Sequence, residues 1–162
     1  MASTTPWCSL TTVTTSAAGD AQLGNEVTID GNTYRWVQAT AAITSAPTCA
    51  LAYDTDLKTT VVTSTTANDP MRAGVVPSGL TYISATANKL DAGDCFWMQI
   101  SGSATAKKVN TVEITDGAPL GLSTGAGSVA SGSVTYEGYM GVCFSGAATG
   151  TTSIVIQLRG LR

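Results

Sequence analysis

Histidine is absent from this 162-residue chain, which removes the side chain best suited to general base work near neutral pH. Nucleophilic catalysis would then need a Ser–Lys dyad. Lys58, Lys89 and the Lys107-Lys108 pair all sit in polar sequence contexts, whereas an activated amine needs burial. Charge is also scarce: Asp, Glu, Lys and Arg make up 12% of residues, about half of the roughly 25% usual in soluble domains. The eight basic residues are scattered against a net charge of −3, so no basic stripe exists to neutralise phosphates, and nucleic acid is not an expected partner. No apolar run approaches the ~18 residues of a membrane span. The opening Met1-Ala2-Ser3-Thr4-Thr5-Pro6-Trp7 has neither the basic nor the apolar region of a secretory leader, so assembly in a cytoplasm is expected. P-loop, nucleophile-elbow and dinucleotide fingerprints are missing.

Carboxylates and thiols offer little more. Asp54 and Asp56 share one face of a short segment, and Asp91 and Asp94 share a turn. Glycosidases need carboxyls facing one another across a cleft, while neighbours on one turn usually close it. Calcium at Asp54-Thr55-Asp56 would lack further oxygen ligands and a closing Glu. Asp116-Gly117-Ala118-Pro119 reads as a turn feeding a strand. Cys8, Cys49, Cys95 and Cys143 include no close pair, so without histidine no metal set forms, and no cofactor is expected. Buried thiols fit a cytosolic compartment, although four cysteines also permit two disulfides in three connectivities.

What the chain has is small neutral side chains: 27 Thr, 22 Ala and 15 Ser. So few charges protect poorly against association, which suits either a surface packed on other protein or a secreted Ser/Thr-rich domain. Residues 1–19 carry no charge. Their isolated apolar anchors, Trp7, Leu10 and Val13 with Pro6 beside them, predict an N-terminal arm needing a partner surface; a frayed terminus or first edge strand is the alternative. From 20 to 162 a single β domain is expected, with short β-like runs between Gly, Asp, Asn and Pro. Strands are expected near 26–30, 33–40, 48–53, 58–64, 80–86, 94–101, 104–115, 133–145 and 152–159. Ile154, Ile156 and Leu158 alternate cleanly with Ser153, Val155, Gln157 and Arg159, and Val134, Tyr136, Met140, Val142 and Phe144 form an apolar face against Cys143 and Ser145. Residues 67–73 allow one helical turn, and 121–132 read as a mobile Gly/Ser/Ala loop. No helical stripe occurs, so the fold class is all-β, a compact small barrel or sandwich of short antiparallel strands.

One pattern occurs twice: Tyr34-Arg35-Trp36-Val37-Gln38 after Asp30-Gly31, and Cys95-Phe96-Trp97-Met98-Gln99 after Asp91-Ala92-Gly93-Asp94. In each, Trp and Gln share one face of a strand, the ring packing and the amide tying down backbone.

With Asp69-Pro70, Ala73-Gly74-Val75-Val76, Gly93–Gly102, Asp116–Leu120, Gly138–Val142 and Ile154–Leu158, this order of motifs resembles the small all-β head decoration (cement) proteins of tailed bacteriophages over residues 26–160. It departs at Asp116-Gly117-Ala118-Pro119, in the longer arm and in having four cysteines. The resemblance implies a non-enzymatic virion protein on the head exterior, commonly a homotrimer near three-fold axes, clamping subunits of the major capsid protein. Pro6, Trp7, Leu10, Val13, Trp36 and Trp97 are the candidate contacts with capsid or sister subunits. A carbohydrate-binding or adhesin-like β domain is the competing class, its three tryptophans serving as sugar platforms.

Overall fold

A computed structural model of the chain describes residues 10, 13–14, 22–44, 46–53, 58–60, 73–78, 89–123, 127–131 and 140–159. Among them the structure is all-β: β1 (Val13–Thr14), β2 (Glu26–Ile29), β3 (Asn32–Ala39), β4 (Ile43–Thr44), β5 (Ala50–Tyr53), β6 (Lys58–Thr60), β7 (Ala73–Val75), β8 (Lys89–Leu90), β9 (Cys95–Lys107), β10 (Pro119–Leu122), β11 (Val129–Ser131), β12 (Gly141–Ser145) and β13 (Ser153–Arg159).

The organising element is β9. Its first half pairs antiparallel with β3 and touches β7, and β7–β5–β6 leads back to β3, the last step being parallel. Those pairings close a small five-strand ring. The second half of β9 pairs with β13, and the path β13–β12–β10–β11 returns to Lys108 through its parallel bridge to Val129. A second ring therefore closes on the same strand. Each ring has its own core. Val37, Leu51, Phe96, Met98 and Ile100 fill the first, capped by Ile43 and Leu90 of the β4–β8 pair. Ala104, Ala106, Leu120, Val129, Ile154, Ile156 and Leu158 fill the second. Ala50 and Val75 belong to the second cluster and their neighbours Leu51 and Val76 to the first, so β5 and β7 form a wall between them. Closing both rings removes most sheet edges, which suits a chain with few charges to guard them.

Residues 94–101 and 104–115 are expected as two strands, yet β9 runs unbroken from Cys95 to Lys107. The chain passes through Gly102 at φ +93°, a conformation side chains resist. That kink is braced from two sides. Asn32 Oδ1 accepts the Ser103 N–H at 3.0 Å, and Gln99 Nε2 donates to the carbonyls of Ser101 and Ser103 at 3.2 and 2.8 Å. The strand ends earlier than 115 because turns at 109–112 and 115–118 take over.

Other expectations divide. The last strand and β2–β3 fall where period-two alternation puts them, with Asp30 (φ 51°) and Gly31 (φ 80°) making the hairpin turn between β2 and β3. The 121–132 loop is a hairpin instead, Leu120–Leu122 pairing with Val129–Ser131. The short β4, β7 and β8 lack enough residues to show a period. The expected strand at 80–86, most of 133–140 and the helical turn before Ala73 lie outside the described residues.

Candidate interaction surface

The two aromatic–Trp–Gln segments face each other. β3 and β9 run antiparallel with Trp36 opposite Trp97, so the sequence repeat becomes a local two-fold arrangement. The rings lie 5.1 Å apart, centroid to centroid, tilted by 58°. That is within the range favoured by aromatic pairs. Each Gln anchors backbone: Gln38 Nε2 donates to the Gly93 carbonyl at 3.1 Å, and Gln99 braces the kink in β9. Cys95 completes the cluster, which Leu10, Leu23, Val27 and Tyr34 cover. Trp36 Nε1 is buried without an acceptor.

This geometry changes how the candidate contacts read. Trp36 and Trp97 are each 2% exposed, shielded by their own chain, because residues of the arm and of β2 fold over that face of the sheet. As they stand they offer neither a sugar platform nor an open contact. Val13 is likewise buried, in the first core beside Val37 and Phe96, and Leu10 is half-buried against the tryptophans. Pro6 and Trp7 lie outside the described residues.

What the sequence does not mark is the outer face of β12 and β13. Its alternation puts Phe144 on the apolar face with Met140 and Val142, yet Phe144 is 71% exposed while Cys143 is buried. Cys143 pairs with Ile156 and Ser145 with Val155, leaving Phe144 in a bulge between them. The alternation slips by one after Met140: Gly141 and Cys143 face the core opposite Leu158 and Ile156, which turns Val142 and Phe144 outward. Val155, 39% exposed, lies beside it, and Ser103, Thr105, Ser153 and Gln157 continue the same face in neutral side chains, with Lys107 and Arg159 at its two ends.

Several other described polar groups hold turns and loops together. Asp94 Oδ2 accepts the Asp91 N–H at 2.7 Å, closing the turn, and Lys89 pairs with Asp91 at 2.5 Å. Asp116 Oδ1 accepts from the Gly146 N–H. The Asp54–Asp56 segment is outside the described residues. Lys108, for all its polar sequence context, is 2% exposed; its ammonium donates to the carbonyls of Val109 (3.0 Å) and Ala148 (3.3 Å). It thereby joins two loops at the end of the second ring. Among the described residues no group of three His, Cys, Asp or Glu side chains could hold a metal.

Cys49, Cys95 and Cys143 are buried, and no disulfide joins them; Cys8 is outside the described residues. Burial raises the pKa of all three thiols. It raises that of the Tyr34 phenol as well, an effect the Asn32 hydrogen bond partly offsets and the nearby Asp30 charge adds to. A group whose folded pKa is raised gives stability that is complete below its unfolded value and is lost as pH climbs through the folded one. The melting temperature should therefore hold from neutrality to about pH 8, near the ordinary thiol pKa, and fall at higher pH. Thermal scans across that range check this. Alkylation followed by intact mass should find these three thiols unreactive in the fold and reactive after unfolding.

Compared with known protein families and with curated proteins, the chain matches no family model and no curated sequence.

Proposed function

We propose that the protein is a head decoration protein of a tailed bacteriophage, binding the outside of an icosahedral capsid and clamping neighbouring subunits of the major capsid protein. The observation that carries the reading is Phe144. A chain that buries both strand tryptophans leaves one phenylalanine exposed on a sheet face of mostly Ser, Thr, Val and Gln, with Lys107 and Arg159 at its two ends. An exposed apolar side chain in a mainly neutral field, with charges kept to the margin, suits a docking face that must pack closely on another protein. The order of sequence motifs points the same way, and so does the low charge. On a symmetric lattice, a homotrimer would turn modest single contacts into durable attachment through effective concentration. The role asks for binding alone, with no cofactor and no chemistry.

The test is co-sedimentation of the purified chain with empty heads assembled from the major capsid protein of the same genome. Binding should saturate at a fixed ratio per capsid subunit, and light scattering should give a trimer. Phe144→Ser should leave the melting temperature unchanged, since an exposed side chain contributes little to folding. Loss of that side chain's burial on docking, about 1.5–3 kcal/mol, lowers affinity per contact roughly ten- to hundredfold. A chain that is monomeric and fails to sediment with heads would overturn the proposal.

A further inference from the structure

We propose that Asp30, at the tip of the β2–β3 hairpin, is a site of spontaneous isoaspartate formation, and that conversion there loosens β2 from the tryptophan pair. The sequence holds two Asp-Gly dipeptides, Asp30-Gly31 and Asp116-Gly117, and no Asn-Gly. A glycine after Asp leaves its backbone nitrogen unhindered for attack on the side-chain carboxyl, so the sequence alone marks both. Both pairs are exposed, so access does not separate them. Hydrogen bonding does. The Gly117 N–H donates to the Cys143 carbonyl at 2.9 Å, and Asp116 Oδ1 accepts the Gly146 N–H. Nucleophile and electrophile are thus both held, on a loop that the Ile114–Ala147 bridge ties down. At the hairpin tip, among the described residues, the Gly31 N–H meets no acceptor and the Asp30 carboxylate no donor. Asp30 also sits at φ 51°, a left-handed conformation that side chains disfavour, so leaving it relieves strain.

The chemistry is a dehydration followed by a hydrolysis. The Gly31 nitrogen attacks Cγ of the protonated Asp30 carboxyl; an N–Cγ bond forms, a C–O bond breaks, and water leaves with the amide hydrogen. A second water then opens the cyclic imide. Cleaving the new N–Cγ bond restores Asp. Cleaving the bond from that nitrogen to the Asp30 carbonyl carbon leaves isoaspartate, with the main chain running through Cβ and Cγ. No oxidant or other reactant enters. The tip then carries an extra main-chain carbon, whereas the tight turn at Asp30-Gly31 is matched to the pairing of Ile29 with Asn32. That register is lost. β2 is the end strand of its sheet and, among the described strands, pairs with β3 alone. Its Val27, with Leu23 just before it, covers Trp36 and Trp97. Slack at the tip therefore reaches that cover, whether or not the protein decorates capsids.

Ageing the full chain in mildly acidic buffer, folded and in parallel in urea, tests this. Peptide mapping separates the imide, lighter by one water, from isoaspartate, which keeps the mass and changes retention. The rates in urea give each site's intrinsic reactivity. Relative to these, the fold should slow Asp116 roughly thirtyfold more than Asp30, the rate equivalent of two hydrogen bonds at about 1 kcal/mol each. Tryptophan emission is read in a Trp7→Phe chain, so that Trp36 and Trp97 alone report. Isoaspartate at position 30 should shift that emission to longer wavelength and open it to acrylamide quenching. Equal slowing at the two sites, or greater slowing at Asp30, overturns the assignment, as does a folded chain in which Asp30 does not convert at all. Isoaspartate at position 30 with both tryptophans as shielded as before overturns the link to the β2 cover.

Discussion

Trp97→Ala should lower the unfolding free energy by about 3–5 kcal/mol, the range for truncating a large buried aromatic, and so is expected to unfold much of the population near physiological temperature. Three losses combine. The indole is 2% exposed, so its removal leaves a cavity between β3, β9 and the Leu10–Leu23 cover. Its ring pairing with Trp36 disappears. The central contact between β3 and β9, on which the first ring depends, loses its filling. Trp36→Phe makes a useful contrast. It too removes ring area, but it deletes an indole N–H that has no acceptor, relieving a buried unsatisfied donor worth about 1–3 kcal/mol. It should cost less than half of what Trp36→Ala costs. Urea titrations of the three variants decide this. Equal costs for Trp36→Phe and Trp36→Ala would mean that the indole N–H is satisfied in solution.

The β class and the tryptophan strands were legible in the sequence because both depend on period-two alternation over five or more residues. Ser153–Arg159 shows it most plainly: every second residue is buried, and side-chain chemistry alone, Ile-Ile-Leu against Ser-Val-Gln-Arg, separates inside from outside. The Trp–Gln repeat was visible too, but the sequence could not say that its copies lie opposite one another, since pairing between distant segments is set by tertiary packing. The long β9 was hidden by Gly102, which reads as a break unless one knows that Asn32 and Gln99 brace it. Phe144 was misplaced for a related reason. Its neighbours Met140 and Val142 are apolar and in phase with it, and only a change of phase at Gly141, followed by a bulge, turns Phe144 outward. Buried Lys108 gave no local signal, because its acceptors are backbone carbonyls, one of them from a loop far along the chain.

The Gly102 kink gives the second large effect. Gly102→Ala should cost about 2–5 kcal/mol, more than an ordinary glycine substitution in a strand, because two penalties meet there. The residue sits at φ +93°, where a side chain adds about 1–2 kcal/mol of strain. An added Cβ would also meet the Asn32 carboxamide and come within 3.0 Å of the Asn32 Cα. Moving that side chain away frees the Ser103 N–H from its acceptor, at a cost of about 1 kcal/mol, and lets the two halves of β9 bend independently. Since β9 is the strand both rings share, slack at this point reaches both cores. A double-mutant cycle separates the two penalties. Asn32→Ala alone should cost about 1 kcal/mol, the worth of one hydrogen bond. In that background Gly102→Ala should cost visibly less than in the parent, because the obstructing carboxamide has gone and only backbone strain and the close approach to the Cα of residue 32 are left. Strict additivity of the two substitutions would show that Asn32 does not confine residue 102, and that the kink in β9 is held by Gln99 alone.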